Sequence, residues 1–154
     1  MPSTQPIPAF YRVFFTTIDP MIALGGGAYL NFFDPAVTIT SVFPASHPWS
    51  DMTPSHTMLF HQLGGAFMQM AFLMIFLLRY TADVGVWKLF EAAILITDFT
   101  LFYSNYAGLV AQERWQMDKI RWEEWSTFAI TAFITVVRVL FLAGVGMGRR
   151  TKWV

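Results

Sequence analysis

Three ionisable side chains sit deep inside long apolar runs: Asp19 in the first run, Asp98 in the third and Arg138 in the fourth. A charge at that depth in hydrocarbon costs about 2.5–3.5 kcal/mol even on lenient insertion scales, so three of them argue for an interior polar site. Asp19 lies about ten residues into its run, Asp98 about twelve from the same side and Arg138 about thirteen from the other. At 1.5 Å per residue all three fall within roughly 5 Å of one plane. Two acids facing one arginine divide naturally into a carboxylate held ionised by the guanidinium, which serves as a general base, and a second carboxyl that serves as a general acid.

Helical spacing extends the set. Glu91, Asp98 and Asn105 recur every seven residues on one face of the third run, with Tyr103 and Tyr106 close by. The fourth run aligns Thr127, Thr131, Thr135 and Arg138, the first aligns Arg12, Thr16 and Asp19, and the second offers His61, Gln62 and Gln69. Four converging stripes would enclose a polar cavity walled by the abundant Phe (16) and Met (9) side chains, a site suited to a long lipophilic molecule with one reactive polar group. The candidate catalytic residues are therefore Asp19, Asp98, Arg138, Glu91 and His61, and the candidate substrate-binding residues are Gln62, Gln69, Tyr103, Asn105, Tyr106 and Thr135. Blander roles stand beside these. Asp98 with Arg138 can be an ion pair that only fixes helix neighbours. Glu91 lies near a span boundary beside Lys88 and Trp87 and can be an interfacial pair, while His61 can serve as a hydrogen-bonding cap.

Other chemistries lack their residues. There is no cysteine, and no H-x-x-x-H or Glu-x-x-His pattern, so no metal site is expected. The glycine-rich runs lack the Lys-Ser/Thr of a phosphate loop, and there is no G-x-S-x-G elbow. No cofactor is expected. Zero formal net charge and the absence of a basic block leave nucleic acid without an electrostatic footprint.

The elements that must position these groups follow from composition. Of 154 residues 55% are hydrophobic and 13% charged, against about 25% charged in soluble proteins. Four runs, about 8–33, 56–79, 86–110 and 125–148, each approach or exceed the ~20 residues a helix needs to cross a bilayer. The expectation is an all-α integral membrane four-helix bundle forming a single transmembrane domain over 1–154. Met1–Pro8 is polar and Pro-rich, unlike a cleaved secretory signal. Both termini then share a side with the 80–85 loop, where Arg12, Arg79, Lys88, Arg149, Arg150 and Lys152 outnumber Arg114, Lys119 and Arg121 opposite. That bias places the termini in the cytosol. The opposite loops, 34–55 and 111–124, are rich in aromatics and offer either a lid or interfacial anchors. Gly25–Gly27, Gly64–Gly65 and Gly144, Gly146 and Gly148 suit close helix packing, and Pro20 predicts a kink that frees a carbonyl near Asp19.

Several segments, among them Ile7–Phe15, Ile18–Pro20, Phe32–Pro35, His61–Ala66, Leu78–Val84 and Val137–Phe141, resemble a family of small fungal four-span membrane proteins. The size and layout are also similar to the emopamil-binding-protein (EXPERA-type) bundle, whose sterol isomerases protonate an alkene with intramembrane acids. The residue types resemble those of soluble limonene-epoxide hydrolases, an unrelated fold that uses an Asp, Arg, Asp set with Tyr and Asn to orient water; the analogy is chemical. These likenesses imply an endoplasmic-reticulum enzyme of secondary metabolism. It would be an epoxide hydrolase or epoxide-opening cyclase acting on a lipophilic polyketide or terpenoid. The alternatives are an acid-catalysed alkene isomerase and a noncatalytic lipid-binding protein. The expected partners are the lipid bilayer and a lipophilic small molecule, with a homodimer left open.

Overall fold

The computed structural model describes residues 7–148, which are all-α. Five helices follow in order: α1 (Ala9–Phe33), α2 (Pro35–Val42), α3 (Pro54–Tyr80), α4 (Val84–Ala111) and α5 (Trp122–Leu142). Of these, α1, α3 and α5 are long and apolar enough to cross a membrane. With 28 residues α4 is longer than any of them. Its Lys88, Glu91 and Asp98 lower its apolar character.

Local chemistry sets the helix starts. Thr53 caps α3 by accepting from the His56 N–H at 3.3 Å, with Pro54 supplying the preset φ of a first helical position. Asp83 caps α4, its Oδ1 accepting from Gly85 N at 2.7 Å. The short 81–83 turn between them is pinned by Trp87, whose indole N–H donates to the Thr81 carbonyl at 2.8 Å.

The proline in α1 produces a change of winding rather than a break. Two stretches, Phe14–Ile18 and Ala23–Tyr29, are wound as π-helix on either side of Asp19–Pro20. Pro20 has no N–H for the turn before it, and the Thr16 carbonyl accepts from Arg79 Nη2 of α3 at 2.9 Å. The same Nη2 donates to Thr17 Oγ1 at 3.3 Å. A cation from the neighbouring helix thus bonds a backbone carbonyl in the turn just before the proline.

Helices pack as two antiparallel pairs, α1 with α3 and α4 with α5. In the first pair the backbones approach at glycines. A Cβ on Gly64 would lie 3.1 Å from the Ala28 carbonyl oxygen, and one on Gly27 would strike the Phe67 ring. The two pairs meet at one end in an aromatic core of Tyr11, Phe14, Phe15, Trp87 and Phe141, with Leu78, Ile134 and Val137. Ring centroids there lie 5.1 Å apart for Tyr11–Phe141 and 5.3 Å for Phe15–Phe141. In lipid such contacts stabilise by close packing and dispersion, because tails are as apolar as the side chains. At the other end α2 packs on both α3 and α5.

The fourth run ends earlier than its apolar length predicts. α5 stops at Leu142 instead of continuing to 148, because Gly144 (φ 80°) and Gly146 (φ 76°) take left-handed conformations that close the helix. The freed Leu142 carbonyl accepts from Lys88 Nζ at 2.8 Å, and the Val145 carbonyl accepts from the Tyr11 hydroxyl at 2.9 Å. The loop at 34–55 also differs from a plain connection, since Asp34-Pro35 starts the helix α2 and Pro48–Ser50 adds a 3-10 turn. The basic residues Arg149, Arg150 and Lys152 lie outside the described residues.

Candidate active site

One guanidinium gathers three carboxylates from two other helices. Arg138 of α5 donates from Nε to Glu91 Oε2 at 2.8 Å, from Nη1 to Asp98 Oδ2, and from Nη2 to Asp19 Oδ2 at 2.5 Å. Each nitrogen serves a different carboxylate, which trades the paired fork usual for arginine against three-way convergence. Glu91 and Asp98 are seven residues apart on α4, about 10.5 Å along its axis, so the guanidinium lies between them like a rung. Asp19 approaches from α1, delivered by the π turn in which its N–H bonds the Phe14 carbonyl.

Burial of the quartet is nearly complete but uneven. Side-chain exposure is 1% for Arg138, 0% for Glu91, 5% for Asp19 and 9% for Asp98, so Asp98 is the least buried of the three carboxylates. Hydrogen bonding is also incomplete. Glu91 Oε1 is buried without a partner, and the Thr135 hydroxyl, one turn before Arg138, faces Asp98 without closing a hydrogen bond of normal geometry. Buried polar atoms usually find partners, so these two leave unmet hydrogen-bonding capacity at the cluster.

Asp19, Asp98 and Arg138 thus lie together, as their equal depth predicts. Glu91 joins them rather than forming the interfacial pair with Lys88, whose amine is engaged at Leu142. The remaining candidates lie elsewhere. His61 is exposed and stacks on Phe32, ring centroids 4.9 Å apart. Tyr103 and Tyr106 are exposed, and the Asn105 amide donates to its own helix at the Leu101 carbonyl, 2.8 Å. Gln62 and Gln69 correct the expectation of four converging stripes. Each stands nine residues, or two and a half turns, from a buried residue of α3 (Ala71 and Leu78), so both point away from the interior. Among the described residues no group of His, Asp and Glu is arranged to hold a metal ion.

A second charged cluster went unread in the sequence. Glu124, near the start of α5, accepts from Arg114 Nη1 and Nη2 at 2.8 and 3.0 Å and from the Arg121 backbone N–H at 2.8 Å. Arg121 also donates to Glu124 Oε1 and, at 3.1 Å each, to the Thr40 and Ser41 carbonyls that end α2. Its signal was present as two arginines and a glutamate bracketing a helix start.

The fold and site together define an all-α protein whose apolar helices surround a buried arginine–carboxylate centre. The chain belongs to the DUF7704 family, described as a domain of unknown function, which matches residues 4–148. No curated protein and no solved structure matches it.

Proposed function

We propose that the protein is a membrane-embedded enzyme that opens an epoxide on a lipophilic polyketide or terpenoid, by attack of water or of an internal hydroxyl. The observation that carries this reading is the buried guanidinium holding carboxylates from two different helices. Acid and base can then act on one substrate from two directions. Asp98, the most exposed of the set, takes a proton from the nucleophile as its oxygen forms a bond to an epoxide carbon. The carbon–oxygen bond breaks, and the Asp19 carboxyl gives its proton to the departing oxygen. A vicinal diol or a cyclic ether alcohol results, and the proton returns from Asp98 to Asp19 through the set held by Arg138. Three nearly buried carboxyls against one cation balance charge only with protons bound there, which supplies the acid.

In this reading α4 crosses as well, which brings the spans to four. The end bearing Arg12, Arg79 and Lys88 faces the cytosol, and the membrane is that of the endoplasmic reticulum. The likeness to small fungal four-span proteins supports the same assignment. Thr135, whose buried hydroxyl faces Asp98, holds the nucleophile.

The test is turnover of a panel of terpenoid and polyene epoxides by the purified full-length protein in lipid, run in oxygen-18 water. Label in the product supports hydrolysis, and product without label supports cyclisation or an alkene isomerisation that needs an acid alone. Asp98→Asn and Asp19→Asn should each lower turnover by roughly 10²–10⁴ while the protein remains folded and inserted. Wild-type rates in both variants would remove the site from consideration.

A further inference from the structure

The outward face of α3 carries a pattern that neither the fold nor the proposed chemistry uses. Met58, Gln62, Gly65, Gln69, Phe72 and Phe76 follow one another at alternating steps of four and three, the seam spacing of helices that pack side by side. All six are exposed, with Met58 at 55%, Phe72 at 58% and Phe76 at 57%. The stripe lies opposite the buried line of Gly64, Ala71 and Leu78 that packs toward the rest of the protein. Among the described residues neither glutamine has a hydrogen-bond partner. Nothing stands within 4 Å of a Cβ built on Gly65.

We infer that this stripe is a homodimer interface in which α3 of one copy lies parallel to α3 of a second. The inference rests on the membrane placement given above and is independent of the epoxide chemistry. α3 is 27 residues long, and both glutamines fall within the ~30 Å of hydrocarbon it would cross, where an unpaired primary amide is costly. Copies of one chain insert in the same direction, so a twofold axis runs along the bilayer normal and residues of equal depth meet. Gln62 faces Gln62 and Gln69 faces Gln69. A primary amide both donates and accepts, so it is complementary to itself, whereas a lysine or glutamate at these positions would repel its own copy. Gly65 between the two pairs lets the backbones approach closely enough for the amides to reach. Self-complementarity at two depths on one seam selects a second copy over an unrelated helix.

The chain contains no cysteine, so single introduced thiols report without background. Met58→Cys and Phe72→Cys, each in the full-length protein in phospholipid vesicles, should cross-link to dimers on oxidation. Val136→Cys, on the exposed side of α5, should not. Adding Gln62→Leu and Gln69→Leu to the Phe72→Cys protein should weaken dimerisation roughly tenfold, as loss of two intramembrane amide pairs implies. Leucine at an exposed intramembrane position keeps the fold, and light scattering of the detergent-solubilised variant should give a monomer mass against a dimer for the wild type. Equal cross-linking at Val136, absence of cross-linking at both seam positions, or a dimer indifferent to the leucine substitutions would each overturn the interface. Pairing of the stripe with a different membrane protein would do the same.

Discussion

The two arginine–carboxylate clusters have opposite stoichiometry. In mid-span one arginine meets three carboxylates, all nearly buried; at the start of α5 two arginines meet one carboxylate, with the arginines 17% and 26% exposed. The rim cluster is closed: Glu124 has donors on both oxygens, and the spare N–H groups of Arg114 and Arg121 go to Gln112, to the Lys119 carbonyl and to the end of α2. The mid-span cluster is open at Glu91 Oε1 and Thr135 Oγ1. A saturated network acts as a fastener between α2, α5 and the 111–121 loop. An unsaturated one, buried inside the fold, leaves polar capacity unmet, which is the capacity the proposed reaction would draw on.

The contrast can be broken in four places. Arg138→Met should have the largest effect, because it leaves three buried carboxyls without their cation. We expect a stability loss of about 3–5 kcal/mol in thermal unfolding in detergent, together with loss of any turnover. Asp98→Asn keeps the shape and most of the hydrogen bonding, so turnover should fall by roughly 10²–10⁴ while unfolding shifts far less. Glu124→Gln at the rim should reverse that pattern. It loses about 1–2 kcal/mol of stability, discounted for the partial exposure of its arginines, and leaves turnover intact. Arg121→Lys, which gives up the fork on the α2 carbonyls, should cost less than about 1 kcal/mol and be visible mainly as faster proteolysis within 34–55. If Glu124→Gln proves as damaging to turnover as Asp98→Asn, the division between fastener and reactive site fails.

Depth was legible in the sequence and direction was not. Counting residues into each run put Asp19, Asp98 and Arg138 at one level, and the seven-residue step put Glu91 on the face of Asp98. Periodicity defines a stripe on a helix without saying which side the neighbours occupy. The Gln62–Gln69 stripe was therefore read as inward, although the small residues Gly64 and Ala71 mark the packed side of α3. The place of Glu91 is hidden in the sequence for a similar reason. Its nearest basic neighbour in sequence, Lys88, is drawn away by the Leu142 carbonyl, which is free only because left-handed glycines end α5 there. The π winding of α1 has no sequence signal beyond Pro20 and the glycine triplet, and the Arg79 contact on the Thr16 carbonyl comes from a different helix. The helix α2 could have been read from Asp34-Pro35, a start signal that its position in a loop obscured.

The bond between Arg138 and Asp19 joins residues 119 positions apart, the first and last long helices of the chain. During synthesis Asp19 enters the bilayer well before its counter-ion has been translated, and Glu91 and Asp98 follow it into the same wait. Three acids are thus left without this cation until α5 has been made. Locking of the three acids then waits on α5, and a truncation lacking α5 should be recognised by quality control as an unfinished membrane protein.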